Sequence, residues 1–298
     1  HLSIPLSTYN IKLLVSKIRF NPDIILCLSR SCYLYCKILS KILRTPIILL
    51  HDAMRYLYLN EIIRSDSSLI SKFSEAFKGV IALPYYVTLT SLSDLSIAIS
   101  RDIINKLGIL KNKIIYLRPP YILLKDKVSL DHSSIPENSV LYSGDVEILV
   151  KLIESFKDLS FIVTGPAAYY MKRRLRPGKN LFLLHNISDA DLFKLHDKII
   201  FAIVLRNAMT GISMTILQEL FFGKPVIAND IASRGFEDFI GRGIYIANNF
   251  YELKNLIKKL NNDTIVTELS KLIKEQYTLK LSPHKFALKL LKYINWLN

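Results

Sequence analysis

Polar side chains that could bind a ligand recur where short apolar runs of this sequence end. PIILLHD ends in His51 and Asp52, and IIFAIVLRN ends in Arg206 and Asn207. An arginine such as Arg206 can grip two phosphate oxygens at once. An open parallel sheet binds its ligands at the carboxyl ends of its strands, so these residues are candidates for ligand binding. Further apolar runs end in Gly144, Gly165, His185 and Asp230.

The most informative segment is GISMTILQELFFGKPVIAND, residues 211–230. Its pattern predicts a polar loop, a helix from about Ser213, a tight turn at Gly223 and a following strand. A helix that begins with Ser213 and Thr215 offers free backbone N–H groups and a positive dipole end to an anion. Glu219 follows about two turns into this helix. It either bridges two vicinal hydroxyls of a ribose or is an ordinary residue of the helix surface.

Short β-branched runs alternate with amphipathic stretches along the whole chain. Apolar runs without polar alternation predict strands that are buried on both faces. Strand–helix–strand alternation predicts right-handed parallel units and a doubly wound α/β fold. The predicted strands are 23–29, 46–52, 95–100, 113–118, 139–144, 160–165, 181–186, 199–205, 225–230 and 243–247, and helices are predicted over 33–44 and 146–157.

A Pro-containing stretch without a sustained period, PPYILLKDKVSLDHSSIPENS, divides the chain into two α/β halves. We expect an N-terminal domain over 1–124, a linker over 125–138, a C-terminal domain over 139–281 and a closing helix over 282–298 that returns to the N-terminal domain. Neither half contains the G-x-G-x-x-G turn or the Walker motif. A Rossmann dehydrogenase and a P-loop enzyme are therefore excluded.

The closing helix has its own start signal, with Ser282 as N-cap and Pro283 as the first helical residue. Its apolar residues form one stripe, which predicts that it packs against another element. That stripe consists of Phe286, Leu290, Ile294 and Leu297.

The most apolar stretch is GVIALPYYVTLTSLSDLSIAIS, residues 79–100. Because it contains Pro84 and Asp94, it predicts a loop and strands rather than a membrane-spanning helix. No run of about 18 consecutive apolar residues occurs, so no membrane span is predicted.

The chain is strongly basic, with 40 Lys and Arg against 25 Asp and Glu and a formal net charge of +15. Such an excess favours nucleic acid, anionic lipid or a phosphorylated substrate as partner, unless it is only a solvated basic surface. No RNP-type aromatic pattern, zinc finger or helix-turn-helix signature is present, so nucleic acid is not expected. The dense run KRRLRPGK at 172–179 favours an anionic membrane surface.

Three cysteines, an odd number, argue against a disulfide scaffold and for a reducing compartment. Cys32 and Cys36 lie four apart on a predicted helix, but no second pair completes a zinc site. We expect a cytoplasmic protein without a bound metal, attached peripherally to the inner face of the membrane.

The segment 211–230 resembles the C-terminal signature of GT-B glycosyltransferases of family 4, which use nucleotide-sugar donors. That signature reads roughly E-G-F-G-x-x-x-x-E-A-M-A-x-G-x-P-V-I-A, and two preceding strands that end in Gly144 and Gly165 follow the family's order. The matching residues are Gly211, Met214, Leu217, Glu219, Gly223, Lys224, Pro225, Val226, Ile227 and Ala228. The resemblance implies GT-B architecture, with two Rossmann-like, doubly wound parallel-sheet domains that face a cleft.

The first half also resembles this family, through NPDIILCLS, RTPIILLHD and LSIAISRDIINKLGILKNKIIYLRPP. The resemblance covers most of residues 20–260 and implies that His51, with Asp52 beside it, faces the donor sugar near the reacting bond. Family members open with a strand and a Gly-containing loop ahead of the segment at which His1 begins. The resemblance therefore implies a chain that is incomplete at its N-terminus.

The resemblance also implies the donor site. A nucleotide-diphosphate sugar would bind the C-terminal domain, with Glu219 on its ribose. Its diphosphate would meet the start of the 213–222 helix and a cation, and Gly165 would support the site. The donor-binding residues so implied are Gly144, Lys151, Arg206, Gly211, Ser213, Met214, Thr215 and Glu219.

Two departures from the family pattern bear on activity. The first Glu of the signature falls on Gly211, and the Arg that binds diphosphate falls on Asp145. Lys151 is in place of the family's following Lys, and Arg118 and Arg206 are the strand-end cations that can replace the lost Arg.

The resemblance implies a retaining, metal-independent glycosyltransferase that needs no cofactor and acts on a glycan, lipid or protein acceptor. Two alternatives remain open. One is a sugar-nucleotide 2-epimerase on the same fold. The other is a catalytically degenerate GT-B protein that binds a partner.

Overall fold

The computed structural model describes residues 25–27, 33–51, 84–99, 101–106, 112–121, 135–176, 178–185, 187–207 and 211–297. The chain divides into two compact units. One contains the described residues up to Arg118 and those from Phe286 onward, and the other is Pro119–Lys285. Most of the predicted linker, residues 125–134, lies outside the described residues.

The first unit is built on a parallel sheet with the strand order β1-β2-β3-β4. Apolar side chains fill both faces of this sheet, as the unbroken apolar runs predict. Its strands are β1 (Ile25–Cys27), β2 (Ile47–His51), β3 (Leu95–Ala98) and β4 (Ile114–Tyr116), and its helices include α1 (Tyr33–Leu43) and α2 (Arg101–Lys106).

The two faces of the first sheet pack against different helices. Ile47 and Leu49 lie in one cluster with Tyr33 of α1. Ile48 lies in another, against which Phe286 and other residues of the closing helix pack. Leu290 and Tyr293 continue this contact, so the first half of the stripe, Phe286 and Leu290, packs on a buried strand face.

Residues 84–92 are helical, so the expected loop is wrong there. Pro84 is the first helical residue described, a position where its missing N–H costs nothing. The hydroxyls of Thr88, Thr90 and Ser91 each donate to the carbonyl four residues earlier, at 2.8–2.9 Å. This back-bonding accommodates hydroxyl residues in a helix that propensity alone disfavours.

The second unit contains a six-stranded sheet with the order β10-β9-β8-β5-β6-β7, and every pairing in it is parallel. The order reverses direction between β5 and β8, which is the topological switch point of a doubly wound fold. The predicted α/β fold class is thus confirmed. The strands are β5 (Ser139–Ser143), β6 (Ser160–Thr164), β7 (Leu181–Leu184), β8 (Ile199–Val204), β9 (Val226–Ala228) and β10 (Ile244–Ile246).

Helices cover both faces of the second sheet and have clear start and stop signals. They are α3 (Val146–Ser155), α4 (Gly165–Lys172), α5 (Asp189–Lys198), α6 (Met214–Phe222), α7 (Phe250–Leu260) and α8 (Asp263–Leu281), followed by the closing helix α9 (Pro283–Leu297). Ser213 caps α6 by accepting a bond from the Ile216 N–H, and Gly223 ends it at φ +75°. No helix among the described residues combines the length and apolarity needed to cross a bilayer.

Candidate functional site at the carboxyl ends of β5 and β8

The ends of β5 and β8 are joined by direct hydrogen bonds at the switch point of the second sheet. The Leu205 N–H donates to the Ser143 carbonyl at 2.8 Å. The Asn207 side-chain amide donates to the Asp145 carboxylate at 2.8 Å. Ligands of doubly wound sheets bind in the crevice outside this point, so the site is expected here.

Gly144 follows β5 where the backbone comes close to neighbouring side chains. A Cβ at Gly144 would lie 2.7 Å from the Tyr142 Oη and 3.2 Å from the Leu205 Cβ. The phenol of Tyr142 donates to the Asp145 carbonyl at 2.7 Å. Burial, and secondly the charge of Asp145, raise the pKa of Tyr142, so the phenol stays protonated. The glycine therefore leaves room for a buried donor that fixes the turn.

Arg206 follows β8 and is half-buried beside this turn. Its guanidinium donates only long bonds, to the carbonyls of Ser143 at 3.4 Å and Leu205 at 3.3 Å. Among the described residues, no carboxylate lies within ion-pair distance of it. Burial lowers the pKa of Arg206, while Tyr142 and Asp145 oppose the shift. Within the described ranges, Arg206 is thus a half-buried cation whose guanidinium keeps N–H donors for a ligand.

Asn229, after β9, holds the backbone of Arg206 from both sides. Its side-chain oxygen accepts from the Arg206 N–H at 3.1 Å, and its amide donates to the Arg206 carbonyl at 2.8 Å. A cavity of about 280 Å³ opens beside it, lined by Asn207, Asn229, Asn248 and Phe250 among others. The bracing fixes the start of the arginine side chain independently of its guanidinium contacts.

The start of α6 presents backbone N–H donors and follows Arg206 closely in the sequence. Gly211 is buried and has φ +112°. Ser213 is buried as the N-cap, Met214 is 52% exposed, and Thr215 is half-buried. The N–H groups of the first helical turn have no intrahelical acceptors and suit an anion.

Glu219 lies in the core of the second unit. Its side chain is fully buried, and its Oε1 lies 2.8 Å from the Nε2 of His196. The ring of His196 stacks on Phe222 with centroids 3.7 Å apart. The Oε2 of Glu219 has no partner among the described residues. The ribose contact expected of Glu219 stays a prediction, and among the described residues the partner of this carboxylate is His196.

The spacing to Gly223 is the signal that the sequence argument missed. In E-A-M-A-x-G the Glu stands five residues before the Gly, and five residues before Gly223 is Gln218. Gln218 is half-buried, and its amide nitrogen lies 3.2 Å from the Glu219 Oε1. The first Glu of the signature then falls on Thr210, outside the described residues, rather than on Gly211.

The other predicted site residues are divided between the two units. In the second, Lys151 is exposed on α3, and Gly165 begins α4 at φ +66°, with open space where a Cβ would be. In the first, His51 is the last residue of β2, and Arg118 lies over the Tyr116 ring at 5.5 Å. Asp52 lies outside the described residues.

Metal-ligating side chains are dispersed in the described ranges. There, no three His, Cys, Asp or Glu residues come together in a way that could hold a metal ion.

No family model matches this sequence, and no curated protein matches it in sequence. Solved structures do match the fold. Sucrose-phosphate synthase from Thermosynechococcus elongatus is 13% identical with a TM-score of 0.71, over 97% of this chain and 77% of that chain. HepE from Anabaena in complex with UDP-glucose is 15% identical with a TM-score of 0.66, over 92% of this chain and 78% of that chain.

A UDP-N-acetylglucosamine 2-epimerase is also similar, at 13% identity and a TM-score of 0.51, over 89% of this chain and 69% of that chain. Identities this low relate the folds alone. The parallel sheets, their strand order and these structural neighbours agree, and the chain has the GT-B fold.

Proposed function

We propose that this protein is a retaining glycosyltransferase that moves a sugar from a nucleotide-diphosphate sugar to a glycan, lipid or protein acceptor. The observation that carries the proposal is Arg206, a half-buried cation at the switch point with no carboxylate partner among the described residues. Cleaving the bond between the anomeric carbon and the diphosphate builds negative charge on the leaving group. A fixed cation stabilises that charge in the transition state.

The donor would lie across the carboxyl ends of β5 and β8. Arg206 and the first N–H groups of α6, at Met214 and Thr215, would hold the diphosphate, with Lys151 as a further cation. Gln218 occupies the ribose position of the family signature. These groups supply the charge that a divalent metal supplies in other transferases, so we propose a metal-independent reaction that uses no cofactor.

Thermal shift against nucleotides tests donor binding. UDP, ADP and GDP are compared with the matching nucleosides, which lack the diphosphate. A ligand at a hundredfold its Kd adds about 2.7 kcal/mol of stability. At least one diphosphate is expected to raise the melting temperature while its nucleoside raises it less. If none of the six compounds changed the melting temperature, or if each diphosphate raised it no more than its nucleoside, the proposal would be overturned.

Slow hydrolysis of the donor tests the stereochemistry. Incubated with the matching nucleotide-α-sugar, the protein is expected to release the α-anomer first, as followed by proton NMR. Release of the β-anomer would contradict retention.

His51→Ala is expected to lower kcat tenfold or more while nucleotide affinity stays nearly unchanged. The reason is that a group acting only in the transition state changes turnover and not ground-state binding. His51 ends β2, at the edge where a parallel sheet presents ligands. Normal turnover with a lowered melting temperature would instead make His51 a structural residue. The assay needs a chain with measurable wild-type turnover.

The 2-epimerase alternative is favoured by one observation, the likeness to UDP-N-acetylglucosamine 2-epimerase. An epimerase would convert UDP-N-acetylglucosamine to its 2-epimer without releasing UDP at the outset, and solvent deuterium would enter the sugar. Deuterium incorporation therefore separates the two activities.

We also propose peripheral attachment to an anionic membrane. Five basic residues cluster at the end of α4 and in the segment after it, and two tyrosines before them are 48% and 67% exposed. The basic residues are Lys172, Arg173, Arg174, Arg176 and Lys179. Co-sedimentation with phosphatidylserine vesicles is expected to fall steeply with added salt, because screening shortens the range of the attraction. Equal binding to neutral vesicles would contradict this.

A further inference from the structure

Two cysteines of the first unit meet between a strand and a helix. Cys27 is the last residue of β1, and Cys36 lies in the first turn of α1. Both belong to the apolar cluster that includes Ile47 and Leu49 of β2. Neither forms a disulfide in this structure.

The two thiols are in direct contact and differ in exposure. The side chain of Cys36 shares a hydrogen bond with that of Cys27. Cys27 is 1% exposed, whereas Cys36 is only half-buried. Cys36 can therefore be reached by a small molecule from solvent, whereas Cys27 is shielded from solvent.

The hydrogen bond from Cys27 lowers the pKa of Cys36 to about 7, against the opposing effect of burial. The thiolate is the nucleophile in thiol–disulfide exchange, and a thiol whose pKa is near ambient pH reacts best. Cys36 thus combines access with reactivity.

A buried phenol beside the pair gives an independent observation. Tyr33 is 3% exposed, and its hydroxyl has no hydrogen-bond partner among the described residues. Burial, and secondly the charges of Asp94, Cys27 and Cys36, raise the pKa of Tyr33 to about 12. The phenol stays protonated and is available to donate to a sulfur anion that forms next to it.

We propose that Cys36 and Cys27 form a redox-active pair that closes to a disulfide when Cys36 reacts with a low-molecular-weight disulfide such as oxidised glutathione. The Cys36 thiolate attacks one sulfur of oxidised glutathione, and glutathione thiolate leaves. Cys27 then loses its proton and attacks the Cys36 sulfur of the mixed disulfide, and a second glutathione leaves. Two protein thiols are oxidised, and one oxidised glutathione is reduced to two glutathiones.

Cys27 and Cys36 pack in one apolar cluster, so closure needs no rearrangement of the order of the elements. It shortens the hydrogen-bonded contact to the disulfide length of about 2.05 Å. The bond would join the end of β1 to the first turn of α1. The site of modification is therefore local to the first unit and independent of the donor site.

Intact mass, thiol counting and peptide mapping test the proposal on the full chain. The protein is equilibrated with oxidised and reduced glutathione at several ratios and then trapped with acid. With oxidised glutathione in excess, two of the three thiols are expected to disappear, with a mass loss of two hydrogens and a Cys27–Cys36 cross-linked peptide. Excess reduced glutathione should restore all three.

Variants separate the two cysteines from the third. Cys32→Ala is expected to keep the cross-link. Cys27→Ala is expected to stop at a glutathione adduct on Cys36, and Cys36→Ala to leave Cys27 unreacted. If either variant fails to fold, the peptide map of the wild-type protein is the deciding result. Three surviving thiols, a persistent wild-type glutathione adduct, or a cross-link that contains Cys32 would each overturn the proposal.

Discussion

Glu219→Ala is expected to destabilise the second unit by about 1–3 kcal/mol, the cost of leaving a buried polar group without its hydrogen-bond partner. The Nδ1 of His196 lies 2.6 Å from the Leu192 carbonyl, which can only accept, so Nδ1 carries a proton. The Nε2···Oε1 bond at 2.8 Å therefore needs a second proton, held on His196 or on Glu219. Alanine would leave a buried ring nitrogen without its partner. Chemical denaturation at neutral pH measures the loss.

Two variants control this experiment. Glu219→Gln keeps the shape and can donate to a neutral His196 ring, so its loss is expected to be clearly smaller than that of alanine. Glu268→Ala removes an exposed carboxylate from α8 and is expected to change stability by less than about 0.5 kcal/mol. Unchanged stability of Glu219→Ala together with more than tenfold weaker nucleotide binding would return Glu219 to the ligand site.

Arg206→Ala is expected to weaken binding of the nucleoside diphosphate with the largest thermal shift, called UDP below, by roughly 1.5–3 kcal/mol. This is the range for hydrogen bonds to charged groups and corresponds to about 10- to 150-fold in Kd. The guanidinium is removed, but Asn229 still holds the backbone on both sides of position 206. The loss then reports the diphosphate contact and not a displaced loop. Isothermal titration calorimetry measures the affinities.

The ligand and the residue each have a matched control. Affinity for uridine, which has no phosphate, is expected to be the same in wild type and Arg206→Ala. Arg242→Ala removes an exposed arginine of the same unit and should leave UDP binding unchanged. If Arg206→Ala binds UDP as tightly as wild type, the diphosphate does not lie on Arg206.

The strands were predictable because their residues are buried on both faces. Runs such as IIFAIVL contain no polar residues and so lack the polar face of an amphipathic helix. The strand β8 is buried along its whole length. The helical residues 84–92 were not predictable in this way. Their hydroxyl-rich sequence favours a helix only once each hydroxyl bonds back to a carbonyl.

The site was predictable only in part, for a physical reason. The strand-end rule selected Gly144 and Arg206 as site candidates without knowledge of the strand order. The Glu219 carboxylate contacts His196, which is on another helix, and no local sequence pattern indicates that contact. Counting five residues back from Gly223 would have aligned the Glu of the signature with Gln218 instead of Glu219. The bracing of Arg206 by Asn229 is likewise a tertiary contact.

The most direct test of the donor site is a crystal structure of the protein with UDP. The account predicts diphosphate oxygens about 2.7–2.9 Å from the Arg206 guanidinium, with the N–H groups of Met214 and Thr215 facing the same diphosphate. UDP bound away from the ends of β5 and β8, or bound there with Arg206 still on the carbonyls of Ser143 and Leu205, would contradict it.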